Sequence, residues 1–172
     1  MSEWRIEQLD RRHVREGFDC GKPSLNDFLH TLVSQYEKRN QGRTYVALQG
    51  DDRRVLGYHT LASGAIHMES LPANQAKKLP RHTVPVVLLA RLAVDQSVQG
   101  RGLGGFLLRD GMTRSLDLSE KLGIHAIVVD ALDAGAKTLY ERFGFISLTD
   151  DEMRLFLPLS TIRSAVKPSQ RS

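Results

Sequence analysis

The sequence predicts one mixed α/β (α+β) domain, and three patterns carry that prediction. An apolar run of strand length, Val86-Val87-Leu88-Leu89-Ala90-Arg91-Leu92-Ala93-Val94, leads through a turn into a glycine-rich helix start, Gln99-Gly100-Arg101-Gly102-Leu103-Gly104-Gly105. A second apolar strand, Ile124 to Val129, follows that helix, so the two strands it joins run parallel. Upstream, Arg43 to Leu48 and Arg54 to Leu61 flank Gly50-Asp51-Asp52-Arg53, the pattern of an antiparallel hairpin. A sheet holding both kinds of pairing suits 172 residues of which 41% are hydrophobic and 26% charged.

In order along the chain, Trp4 to Leu9 alternates apolar and polar residues, as a half-buried first strand does. Phe18 to Gly21 forms a turn. A helix follows, with Ser24 as N-cap and Asp27 complementing the dipole. It has Leu25, Phe28, Leu29, Leu32, Val33 and Tyr36 on one face, and Gly42 closes it. After the hairpin, residues 67–85 hold Pro72, Pro80 and Pro85 and a short helix from Ala73 to Leu79. The helix opened by Gly102 turns Leu103, Phe106, Leu107, Leu118 and Leu122 inward and ends at Gly123. Ala134 to Arg142 is a short helix, and Met153 to Leu157 is a closing strand. Residues 1–162 are expected to form the domain and 163–172 a flexible tail.

Composition removes several function classes. The one cysteine, Cys20, excludes an internal disulfide framework. A nucleophilic Cys20 served by His13 or His30 would need an electropositive setting that the sequence does not supply, so a structural cysteine is expected. The six histidines lack metal-ligand spacing, and no metal is expected. No apolar run approaches the ~18 residues that span a bilayer, and Met1-Ser2-Glu3-Trp4-Arg5 is no signal peptide, so a cytoplasmic protein without a membrane partner is expected. A net charge of +4 fits a solvated surface or a polyanionic partner.

The glycine-rich stretch is an anion cradle, because unpaired N–H groups and the helix dipole meet there. A P-loop would require Lys-Ser/Thr, which is missing. Gly100-x-Gly102-x-x-Gly105 matches the dinucleotide fingerprint, with Asp130 ending the next strand. Gln99-x-x-Gly102-x-Gly104 resembles the coenzyme A pyrophosphate loop of the GCN5-related N-acetyltransferase (GNAT) family. Position favours the second, since about half the chain precedes the loop and too little follows to complete a dinucleotide fold. Arg91-Leu92-Ala93-Val94-Asp95 and Leu139-Tyr140-Glu141-Arg142-Phe143-Gly144-Phe145 resemble further GNAT motifs, so the likeness spans residues 86–157.

This resemblance implies acetyl-CoA as cofactor and the GNAT fold: a mostly antiparallel mixed sheet with a V-shaped splay between two parallel strands, and helices on both faces. It implies that Leu92, Ala93 and Val94 pair with pantetheine. Gln99, Gly100, Arg101, Gly102, Leu103, Gly104 and Gly105 would hold the diphosphate. Phe143 would lie beside the thiol end, and Tyr140 would protonate the leaving thiolate.

Phe18-x-Cys20-Gly21-x-x-x-Leu25-x-x-Phe28-Leu29 is similar to the N-terminal signature of the TacT/AtaT-type toxin branch. That implies acetylation of the α-amino group of aminoacyl-tRNA, inhibition of translation, a homodimer and a ribbon–helix–helix antitoxin. The absence of an evident base agrees, since a free α-amine of pKa ~7.7–8.0 is substantially neutral where a lysine near ~10.4 is not. Lys38, Arg39 and Arg43, with Lys77, Lys78 and Arg81, are the basic clusters that would meet tRNA. The alternatives are the same fold acting on a protein or small-molecule amine, a dinucleotide-binding oxidoreductase, and a non-catalytic RNA-binding module.

Overall fold

A computed structural model describes residues 3–76 and 83–170. Its strands are β1 (Trp4–Gln8), β2 (Arg43–Gln49), β3 (Gly57–His67), β4 (Thr83–Val94), β5 (Ala126–Asp130), β6 (Ile146–Leu148) and β7 (Asp151–Pro158). They form one sheet in the order β1-β2-β3-β4-β5-β7-β6. The β1–β2, β2–β3, β5–β7 and β6–β7 ladders are antiparallel, and β4–β5 is parallel. The parallel ladder runs from Val86↔Ala126 to Leu89↔Val129, while β4 continues to Val94. The chain parts into two compact units, Met1–Ala62 with Ala90–Gly111, and Ser63–Leu89 with Met112–Ser172.

In the first unit the period-2 alternation of the strands feeds two apolar layers. Val46, Leu48, Tyr58 and Ala93 pack with Phe18, Leu25, Phe28, Leu29 and Val33. Ala47, Leu92 and Val94 point the other way, onto Val98, Leu103 and Leu107. Helices therefore cover both faces here. Each fully buried Leu or Phe in these layers contributes roughly 1.5–3 kcal/mol by leaving water.

The first helical stretch differs from expectation at three points. It begins at α1 (Pro23–Asp27) with Lys22 as N-cap and Pro23 in the first turn, where its missing N–H costs nothing; no side chain caps it, and Ser24 is not the cap. A π-helical turn, Phe28–Leu32, then leads into α2 (Val33–Lys38). The extra residue of that turn throws Leu32 off the apolar stripe, leaving it 40% exposed. The helix closes at Arg39, followed by Asn40 in the left-handed conformation (φ 55°), not at Gly42. Gly42 is buried instead, and a Cβ there would come within 3.1 Å of Thr60.

The second unit contains α3 (Ala73–Ala76), the end of α4 (Leu103–Ser119), α5 (Ala134–Arg142) and α6 (Leu159–Gln170). Its apolar cluster joins Ile66, Leu71, Val84, Val86, Ala126, Val128, Leu148 and Phe156. Leu118 and Leu122 are 43% and 59% exposed, because α4 buries Leu108, Gly111 and Ser115 beyond Leu107 and ends before Gly123. Residues 163–170, expected as a flexible tail, are helical. Leu159 and Ile162 bury the first turn of α6, the Leu159 N–H donates to His125 O, and Arg163 donates to the Ser119 hydroxyl at 3.0 Å. Strand β6 is a three-residue element too short for a periodic pattern, and it was not foreseen.

Candidate active site

The cradle lies in the first unit. Beyond β4 the chain makes a short 3₁₀ turn, Gln96–Val98, then passes through Gly100 (φ 79°) and Gly102 (φ 89°) into α4. Both glycines are demanded by backbone conformation rather than crowding, since among the described residues nothing lies within 4 Å of a Cβ placed at either. The Phe106 N–H donates to Gly102 O, so the N–H groups of Leu103, Gly104 and Gly105 precede the helical ladder. No acidic residue occupies that first turn. Open space, left-handed glycines and three leading N–H groups fit a diphosphate.

A polar clasp fixes this loop. The Asp95 carboxylate, 4% exposed as a residue, accepts from the Asp19 N–H (2.9 Å), the Ser97 N–H (3.0 Å) and the Ser97 hydroxyl (2.6 Å), and faces Arg54 at 3.5 Å. Burial pushes its pKa up, but the donors from Ser97 and Asp19 and the charge of Arg54 prevail and hold it below the ordinary 3.8. Asp19 in turn accepts from Gly21 N–H and from Asn26, while Asn26 accepts from Cys20 N–H. The Gln99 side-chain amide donates to Cys20 O at 3.0 Å and to Val94 O at 2.9 Å. Gln99 thus shapes the loop through its amide, where the sequence predicted a donor to phosphate. Arg101 is exposed. Cys20 is buried, with its thiol 3.6 Å from Lys22 O, and it sits in the apolar layer with Phe18 and Leu25 as a structural cysteine.

Tyr140 belongs to the second unit. Asp133 caps α5 by accepting the Ala136 N–H at 2.8 Å. The helix ends in a Schellman closure: the Phe145 N–H donates to Tyr140 O, the Gly144 N–H donates to Glu141 O, and Gly144 is left-handed (φ 95°). The hydrophobic contact that accompanies such a closure is the Tyr140–Phe145 ring pair, 5.9 Å between centroids. Tyr140 is therefore fixed by the helix end itself, and Phe143, half-buried, is the C-cap. Burial, aided by the negative charges of Asp130 and Asp133, pushes the Tyr140 hydroxyl up to about 12. A phenol of that pKa stays protonated at neutral pH and can serve as a proton donor.

Other predicted residues take varied places. Asp130 pairs with Arg154 at 3.1 Å across the β5–β7 ladder, which leaves little of the ribose role that a dinucleotide fold requires. The antiparallel ladders and the placement of the cradle after the fourth strand likewise depart from that fold. Arg91 lies over the Phe28 ring, 3.7 Å from its centroid, and 5.1 Å from that of Tyr36. Lys38 and Arg39 are exposed at the end of α2. Arg43 is tied into the helix end through Asn40 (2.7 Å), the Gly42 carbonyl and Glu37. Lys77, Lys78 and Arg81 lie outside the described residues. Among the described residues no group of three or more His, Cys, Asp or Glu side chains could hold a metal, and no helix is long and apolar enough to cross a membrane.

The model of the acetyltransferase (GNAT) domain matches residues 40–147, which include the cradle and Tyr140. The chain belongs to the GNAT family. The GNAT chain is 36% identical over 149 residues to a tRNA-acetylating toxin of Mycobacterium tuberculosis (strain ATCC 25618 / H37Rv), covering 87% of this chain and 88% of the relative. The structure of AtaT complexed with acetyl-methionyl-tRNAfMet superposes with a TM-score of 0.88 at 35% identity, over 95% of this chain and 99% of that one. A tyrosine-to-phenylalanine mutant of AtaT, bound to acetyl-CoA and the C-terminus of the antitoxin AtaR, matches with a TM-score of 0.81 at 33% identity, over 95% and 98%.

Two parts of this GNAT site escaped the sequence analysis. The clasp role of Asp95 had a local signal, Asp-x-Ser before a turn, which is an N-cap pattern. Its long-range partner Asp19 had none, because a main-chain donor 76 residues away leaves no trace in spacing.

Proposed function

We propose that this chain is an acetyl-CoA-dependent N-acetyltransferase that acetylates the α-amino group of aminoacyl-tRNA and thereby blocks translation. The observation that carries this is near-full-length similarity to AtaT in complex with acetyl-methionyl-tRNAfMet. The cradle and the buried tyrosine supply chemistry that suits it.

Acetyl-CoA would supply the acetyl group as a thioester. The N–H groups of Leu103, Gly104 and Gly105, on the positive end of the α4 dipole, would neutralise its diphosphate. Gly100 and Gly102 keep side chains out of that space, Gln99 keeps the turn closed, and Arg101 adds positive charge. Leu92, Ala93 and Val94 would offer main-chain groups to pantetheine, with Phe143 beside the thiol end. Tyr140 holds a proton on its hydroxyl and gives it to sulfur as the carbon–sulfur bond breaks and the nitrogen–carbon bond forms. The amine loses its extra proton to solvent, and Tyr140 recovers one from solvent. A neutral α-amine needs no strong base for this. Lys38 and Arg39, free on the surface of α2, would meet the RNA backbone, as would Lys77, Lys78 and Arg81; Arg43 would add charge from its place at the helix end.

By the same similarity, the chain would act in the cytoplasm as a homodimer and be neutralised by an antitoxin, for which a ribbon–helix–helix protein encoded nearby is the expected form. Labelled acetyl-CoA offered with charged tRNA, deacylated tRNA and cell protein tests the acceptor. Label on charged tRNA alone is expected; label confined to protein or polyamine would move the activity to another amine. Light scattering of the purified chain, alone and with the product of the adjacent gene, tests both assemblies.

A further inference from the structure

We infer that Arg91 is the docking point for a phosphodiester at the acceptor end of the tRNA, an inference that rests on the aminoacyl-tRNA assignment above. The argument begins with an anomaly of sequence: a cation inside the apolar strand β4. Strand alternation places Arg91 and Ala93 on the face packed by α1 and α2, while Leu92 and Val94 turn towards α4. The guanidinium lies 3.7 Å from the centroid of Phe28, itself 1% exposed, and 5.1 Å from that of Tyr36. The aromatic faces attract the charge and hold the guanidinium in place, but a ring face does not take the place of an oxygen acceptor for its N–H groups. Among the described residues Arg91 has no carboxylate partner, and the side chain is half-buried rather than sealed. A guanidinium held in position with its donors unspent among the described residues is suited to bidentate recognition of a phosphate or carboxylate.

Two phosphate sources are chemically possible, the cofactor and the nucleic acid. The cradle for the cofactor is built at the start of α4, on the face of β4 that Arg91 turns away from. That leaves the α1–α2 face for the acceptor, whose anionic groups nearest the aminoacyl ester are the phosphodiesters of the terminal nucleotides. Arg91 thus adds to acceptor binding at a position just before the segment assigned to pantetheine.

The test compares wild type, Arg91→Met and Arg91→Lys on three acceptors: charged tRNA, an aminoacyl-CpCpA trinucleotide, and a 3′-aminoacyl-adenosine that carries no phosphate. Arg91→Met is expected to lower kcat/KM roughly 10- to 100-fold on the first two, the range for losing a charge-assisted contact, and to leave the nucleoside within about twofold. Arg91→Lys, which keeps the charge but loses the fork, should recover part of the loss. The slope of log kcat/KM against log salt on the trinucleotide should flatten by about 0.7 in Arg91→Met, the value for one single-strand phosphate, and this decides the matter even if the nucleoside is a poor acceptor. The KM for acetyl-CoA and the thermal shift on its binding should not move. Equal losses on all acceptors, an unchanged salt slope, or an effect confined to the acetyl-CoA KM would each overturn the inference. Wild type that acetylates no charged tRNA would overturn the acceptor assignment itself, and the docking point with it.

Discussion

The unit that carries the cradle and the unit that carries Tyr140 are held by different physics. Around residues 95–102 the loop is fixed by directed polar bonds: Asp95 gathers donors from Asp19 and Ser97, and Gln99 reaches back to Cys20. Around Tyr140 the tyrosine is set by a helix that ends at a left-handed glycine, with Phe145 folded onto its ring. Directed bonds fix where main-chain donors point, which is what anion binding needs. Burial fixes the protonation of a phenol, which is what proton donation needs. The two halves should therefore fail differently.

The largest expected effect is chemical. Tyr140→Phe should lower kcat roughly 10²–10⁴-fold, the contribution of a positioned general acid, while the acetyl-CoA dissociation constant and melting temperature stay near wild type. Wild-type turnover in this variant would remove Tyr140 from the mechanism. Next, Asp95→Ala strands main-chain donors in a buried place and should cost about 2–4 kcal/mol in urea unfolding, together with a weakened thermal response to acetyl-CoA. Unaltered cofactor binding would show that the clasp does not shape the cradle.

A matched pair of glycine variants sharpens the contrast. Gly102→Ala and Gly144→Ala each force a side chain into the left-handed region, at about 1–2 kcal/mol. Steady-state kinetics should assign the first to the KM for acetyl-CoA and the second to kcat, because only Gly144 closes the helix end that holds Tyr140. A shared kinetic signature would deny the division. The smallest effects concern pH. With its hydroxyl pushed up to about 12, Tyr140 should give no alkaline fall in kcat/KM below about pH 10, so only the rising limb of the amine near ~7.7–8.0 is expected. At the acid end Asp95, held below 3.8, contributes stability that is present above that value and lost as pH falls through its folded pKa. Asp95→Asn should flatten that part of the unfolding curve.

The legible parts of the molecule were those whose cause is local. Helix α5 lies at the expected residues because Asp133, the intervening helix formers and Gly144 are all adjacent in sequence. The cofactor strand, the parallel pairing and the hairpin were legible for the same reason. The side-chain role of Gln99 was not legible, because its amide donates to Cys20 O, far back in the chain, and spacing cannot report such a partner. Ser24 looked like a cap, but Pro23 had already begun the helix one residue earlier. The last helix was missed because residues 163–172 are mostly polar and carry Pro168, and nothing local shows that Leu159 finds an acceptor in the His125 carbonyl, just before β5, to start a helix there.

The π turn in the first helical stretch has a geometric consequence of its own. Phe28 and Tyr36 are eight positions apart, which in an unbroken α-helix would set them about 80° apart around the axis. One surplus residue reduces the effective spacing to seven and the offset to about 20°, so the two rings meet edge to face at 5.1 Å. Deleting a single residue between 29 and 32 would straighten the coil and keep the two rings aligned. Straightening it with every residue kept would return the offset to about 80° and swing Tyr36 away, leaving the guanidinium above β4 with half its aromatic bed.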